Sequence, residues 1–174
     1  MKFNLATIYQ VITVLLMPVA FLIGFTAVTL LPQIFGNFAA LLPFFVFSAV
    51  VIYFFLSNRF LKRIILLNGT LKTGLKDWIK VNGYVTLFMA AMLLFVSVSS
   101  LTQHDFFQSF ADQMYDNVTQ IDANIKRAEV ESSLKTLFKI FLVVSLLIVT
   151  HFIMTIKLLK RYAGHFTNDN VQNF

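Results

Sequence analysis

Between Phe3 and Asn58 the chain carries no charged residue. Drawn as a single α-helix, that run would be about 84 Å long at ~1.5 Å per residue, against a hydrocarbon core of ~30 Å. It must therefore fold back on itself, and it must do so in contact with something other than water. The whole chain points the same way. Hydrophobic residues make up 58% and charged residues 13% of the sequence, where a soluble domain has about 45–50% and about 25%. A core built from 174 residues cannot hide that surplus, because a chain this short still exposes much of its surface. An ordinary soluble enzyme or binding domain is excluded, and lipid is the simplest solvent for the excess.

The fold-back has one good location. Pro32-Gln33-Ile34-Phe35-Gly36-Asn37 is the only cluster of helix breakers in the middle of the run. It predicts a first span over about 9–31 and a second over about 39–57, joined as a tight hairpin. Pro43 then falls in the first turn of the second helix, where its missing N–H costs little. Pro18 lies well inside the first helix, where a kink is expected and neighbouring helices can satisfy the freed carbonyl. Lys2 followed by an apolar run fits the opening of a signal peptide. The run, however, outlasts a normal h-region and lacks an A-x-A site, so a retained first span is expected.

A basic loop over 58–80 follows, with Arg59, Lys62, Arg63, Lys72, Lys76 and Lys80 against Asp77 alone. In it Leu71, Leu75, Trp78 and Ile79 share one helical face and the lysines another. This predicts a short amphipathic helix lying in the interface, with Lys72, Lys76, Trp78 and Lys80 at lipid-headgroup depth. The third span is expected over about 81–102 and the fourth over about 136–156, with Lys139 snorkelling at its outer end. Between them an acidic loop over 103–135 holds Asp105, Asp112, Asp116, Asp122, Glu129 and Glu131. Its apolar residues Phe106, Phe110, Met114, Val118, Ile121, Ile125 and Ala128 recur every three or four positions, the period of an amphipathic helix. The fold class expected is thus an all-α integral membrane protein, a single membrane domain over 1–174 built from two helical hairpins. The tail after Lys157 turns polar and is expected to be mobile.

Ten of the fourteen Lys and Arg residues fall at the N-terminus, in the basic loop or in the tail. The positive-inside rule therefore places both termini in the cytoplasm and the acidic loop outside. Abundant Phe, Ile, Asn and Lys fit an AT-rich bacterial genome, hence an expected bacterial inner-membrane location. No cysteine is present, which removes disulfides, thiolate nucleophiles and Cys-based metal sites.

Candidate functional positions are few. Thr13, Met17, Ala20, Gly24 and Ala27 form a small-residue seam in the first span, and Thr86, Ala90, Leu93, Ser97 and Ser100 form another in the third. Such seams let helix backbones approach closely, within one bundle or against a partner subunit. Serine and threonine there can satisfy themselves on their own helix carbonyls. His151 is the single ionisable side chain well inside a span. It is expected to be a neutral structural residue bonded to a hydroxyl or carbonyl, with proton or metal work as the sharper alternative. No haem pair, H-E-x-x-H, G-x-S-x-G or phosphate-binding loop occurs. The sequons Asn68-Gly69-Thr70 and Asn117-Val118-Thr119 carry no weight. No catalytic residue, metal or cofactor is therefore assigned. The outer face formed by Phe106, Phe110, Met114, Ile121 and Ile125 is a surface for the bundle or for a partner. These features predict a non-catalytic accessory or scaffolding subunit touching lipids and other membrane subunits, and not nucleic acid. A small homo-oligomeric channel or transporter is the alternative.

Overall fold

A computed structural model of the chain describes residues 5–121 and 124–167. Lys2, Asp122 and the tail beyond Thr167 lie outside the described residues. Four helices are long and apolar enough to cross a membrane. In chain order these are α1 (Leu5–Ile34), α2 (Leu41–Phe60), α3 (Thr73–Thr102) and, after the shorter α4 (His104–Thr119), α5 (Arg127–Arg161). At about 1.5 Å per residue a thirty-residue helix is ~45 Å long, so each of α1, α3 and α5 exceeds the ~30 Å core. Their surfaces are apolar where a soluble protein would be polar: Val11, Val14, Phe21, Leu22, Phe25 and Val28 all point outward from α1. A contiguous exposed face of this kind is a membrane surface.

The chain forms two compact units, Met1–Met89 with Leu147–Phe174, and Ala90–Leu146. In the first, α1 and α2 pair as an antiparallel hairpin. The chain reverses at Phe35–Asn37, where the Gly36 and Asn37 N–H groups donate to the Gln33 carbonyl. Asn37 then caps a one-turn 3-10 helix (Phe38–Ala40), its side chain accepting from Ala39 N at 3.0 Å. α1 outruns its expected end at Leu31 by three residues, because Pro32 removes an N–H but does not prevent the helix from continuing to Ile34. Pro18 likewise sits within one continuous helix.

Beyond α2 the helix widens into a π segment, Leu61–Leu66. It ends in a Schellman-like cap in which Asn68 takes φ 49° and the Asn68 and Gly69 N–H groups return to Ile64 O and Arg63 O. Asn is the favoured non-glycine residue for such a left-handed C-cap. Asn68-Gly69 is therefore a helix terminator. One feature of the basic loop differs from expectation. The separate interfacial helix is absent, since residues 73–80 are the first turns of α3 itself. Asn82 and Gly83 lie inside that continuous helix, where Asn82 Nδ2 donates back to Trp78 O at 2.8 Å. The described part of the tail is also folded, through Ala163–His165 and Phe166–Thr167. β1 (Leu71–Lys72) pairs in parallel with β2 (Phe166–Thr167), and Phe166 stacks on Phe60 at 6.1 Å. A His165 Nδ1–H reaches the Gly69 carbonyl at 3.2 Å, and Thr73 Oγ1 donates to Thr167 O.

The second unit is α3 from Ala90 onward, all of α4 and α5 as far as Leu146. Its core is Phe107, Ala111, Val130, Leu134 and Phe138.

Candidate functional site

The most concentrated polar chemistry lies in the first unit, on three of the apolar helices. His151 on α5 is fully buried, as are Thr13 on α1, Tyr53 on α2 and Thr155 one turn further along α5. The Thr13 hydroxyl has one hydrogen and places it on the Tyr9 carbonyl 2.7 Å away, its own i−4 acceptor. Across the 3.0 Å contact with Thr13, His151 Nε2 must therefore be the donor. In the neutral ring Nδ1 is then an acceptor, and the Tyr53 hydroxyl donates to it at 2.8 Å. Tyr53 is in turn 3.0 Å from Thr155 Oγ1, which also reaches the Tyr9 hydroxyl at 3.2 Å and the His151 carbonyl at 2.8 Å. The Tyr9 ring stacks on the imidazole at 4.8 Å and Tyr53 meets it edge-on. Every polar atom of the ring is thus satisfied by a hydroxyl.

The arrangement clasps α1, α2 and α5 together. Interhelical hydrogen bonds in membranes average about 0.6 kcal/mol and reach ~1.7, so the clasp fixes geometry more than it supplies stability. Ser57 is buried nearby in the sequence of α2, and its Oγ has no partner among the described residues. Among the described residues no three His, Asp or Glu side chains gather as a metal site.

Two glycines show how closely the helices approach. A Cβ at Gly24 would sit 3.5 Å from Val51 Cγ2, ordinary contact. The first seam (Ala20, Gly24, Ala27) therefore meets α2 at Gly24, within its own hairpin. Gly83 is tighter: a Cβ there would lie 2.8 Å from Phe152 and 3.1 Å from Tyr53. Sequence patterning missed Gly83, although a glycine inside an apolar helix is itself the signal of close approach. Of the second seam, Ala90, Ser97 and Ser100 are all buried. Thr86 and Ser97 donate to their own i−4 carbonyls, while Ser100 Oγ has no partner among the described residues.

The headgroup candidates separate. Lys72 and the largely exposed Trp78 line a cleft of about 680 Å³ that also carries Arg59 and Arg63. Lys76 sits 5.8 Å over the Phe166 ring, and Lys80 pairs with Asp77 at 3.7 Å. The two arginines were not singled out from the sequence as binding residues.

The candidates for the outer face divide on α4 and its flanks. α4 buries Phe107 and Ala111, whereas Phe110 and Met114 stay partly exposed and Ile121 lies beyond the helix, almost fully exposed. Phe106 contacts Phe110 edge-on and Ile125 packs at the margin of the core. The 107–111 pair has the same period as 106–110–114 with a smaller apolar signature, and it is this pair that α5 covers through Val130, Leu134 and Phe138. Arg127 clips the hairpin, with Nη2 2.6 Å from Asp112 and Nε 3.1 Å from Glu131.

These features define the class: an all-α, multi-pass membrane protein with a hydroxyl-bonded buried histidine. Compared with protein-family models, with curated proteins and with solved structures, the chain shows no match.

Proposed function

We propose that the chain is a non-catalytic accessory or scaffolding subunit of a larger bacterial inner-membrane complex, with both termini cytoplasmic and α4 on the outer side. One observation carries the reading. The α4–α5 hairpin closes its own core, yet Met114, Val118, Ile125 and Leu137 still line an apolar groove of about 510 Å³. In this topology the groove's α4 side stands outside the hydrocarbon, where an uncovered apolar surface on a braced hairpin suits a partner subunit.

The test is gentle extraction of the tagged chain from its native membrane, with identification of what co-purifies. A stoichiometric partner is expected, and Met114→Glu with Val118→Glu should release it while leaving the chain in the membrane. A homo-oligomer without partner would remove this reading.

The buried hydroxyl–imidazole chain of Tyr9, Thr13, Tyr53, His151 and Thr155 favours a second reading, a small homo-oligomeric channel or transporter. Flux into liposomes that falls on His151→Ala would support it.

A further inference from the structure

We propose that the cleft at the end of α2 is a binding site for one anionic phospholipid, held by its phosphate on Arg59 and Arg63. The cleft, about 680 Å³, has two chemically distinct parts. Arg59 and Arg63 stand one turn apart where α2 passes into the π segment, and both are exposed. Among the described residues no carboxylate pairs with either. Two guanidinium groups in this position match a phosphate, which accepts their forked N–H donors. Below them Ile52 and Leu56 form an apolar wall on α2, with Leu75 opposite. Ile52 precedes Arg59 by two turns, about 10 Å of helix rise toward the apolar middle of the span. A charged mouth with an apolar wall leading into the bilayer fits a lipid and does not fit a free anion. The π segment at the mouth is a further local irregularity of the sort that marks functional positions.

The inference rests on the membrane-spanning architecture and not on any partner subunit, so it stands or falls separately from the accessory-subunit reading. Trp78 lines the cleft and is the only tryptophan of the chain, which makes it a built-in reporter. The full-length protein is reconstituted in vesicles of phosphatidylcholine with a rising fraction of phosphatidylglycerol. Bromine is placed on the acyl chains of one lipid or the other, and Trp78 fluorescence is read.

Brominated phosphatidylglycerol should half-quench at about a tenfold lower mole fraction than brominated phosphatidylcholine, equivalent to about 1.4 kcal/mol. Arg59→Gln with Arg63→Gln should erase that preference while leaving quenching by phosphatidylcholine unchanged. Lys157→Gln with Lys160→Gln, an equal loss of charge elsewhere, should keep it. Equal quenching by the two lipids in the native protein would overturn the site. So would a preference that survives loss of both arginines, or one that the lysine pair also erases, which would mean a general basic surface. Quenching by neither lipid would mean that a protein segment fills the cleft.

Discussion

Gly83 and Gly24 are both glycines in apolar helices, and the structure gives them opposite tolerances. At Gly83 an added methyl would stand 2.8 Å from Phe152 and 3.1 Å from Tyr53. Tyr53 cannot yield easily, because its hydroxyl is committed to His151. Overpacking of this kind costs about 1–3 kcal/mol. Gly83→Ala should therefore lower the unfolding temperature in detergent by about 2–4 °C for each kcal/mol. Gly24→Ala meets Val51 at an ordinary 3.5 Å and should leave that temperature unchanged or raise it, since alanine also favours the helix. Equal effects of the two substitutions would contradict the packing described. At this scale little was legible in the sequence beforehand. His151 stood out because it is ionisable inside an apolar run, but its partners Thr13 and Tyr53 are 138 and 98 residues away. No local pattern connects them, and a tyrosine in an aromatic-rich helix looks like any other core residue until the tertiary structure aims its hydroxyl.

The helices themselves were far more legible, for a simple reason. Charge-free runs and their breakers are local signals, and all four long apolar helices are present. Their ends were not legible. The broken segment around Asn68 and Gly69 is a left-handed cap that stops one helix, whereas Asn82 and Gly83 look similar and lie inside the continuous α3. α4 shows the same limit: its period was visible, but the choice between two adjacent apolar stripes was decided by α5. That pairing makes a prediction for the element. Phe107 is almost fully buried against Phe138, and truncating a buried phenylalanine costs about 3–5 kcal/mol. Phe107→Ala should open the α4–α5 hairpin locally, seen as faster amide exchange over 104–119 with no change over 41–60. Arg127→Ala removes the ion pairs to Asp112 and Glu131 and a hydrogen bond to Gln108, but the side chains of Arg127 and Asp112 are about half exposed. Exposed ion pairs contribute about 0–1 kcal/mol, so exchange in that variant should stay close to native. If Arg127→Ala loosens α4 as much as Phe107→Ala does, charge and not packing holds the hairpin.

For the whole molecule the governing quantity is where charge sits along the chain. The Phe35–Asn37 turn carries none, the loop and π segment after α2 are basic, α4 is acidic and the end of α5 is basic. Lys and Arg are retained on the cytoplasmic side during insertion, whereas Asp and Glu contribute little. In the proposed topology, Arg59, Lys62, Arg63, Lys72, Lys76 and Lys80 set the orientation before any helix packs. Because the chain has no cysteine, single cysteines can be introduced without background at Phe35, Thr70, Gln120 and Lys160, all exposed. A membrane-impermeant maleimide applied to intact spheroplasts should label Phe35→Cys and Gln120→Cys at once. Thr70→Cys and Lys160→Cys should react only after lysis. The reverse pattern would invert the protein and place the arginine cleft outside. Labelling of Thr70 and Lys160 from opposite sides would be incompatible with both α3 and α5 crossing the membrane. The same pair of positions also tests the tail: β2 lies beside β1, which requires the residues after α5 and the loop after α2 to share one side.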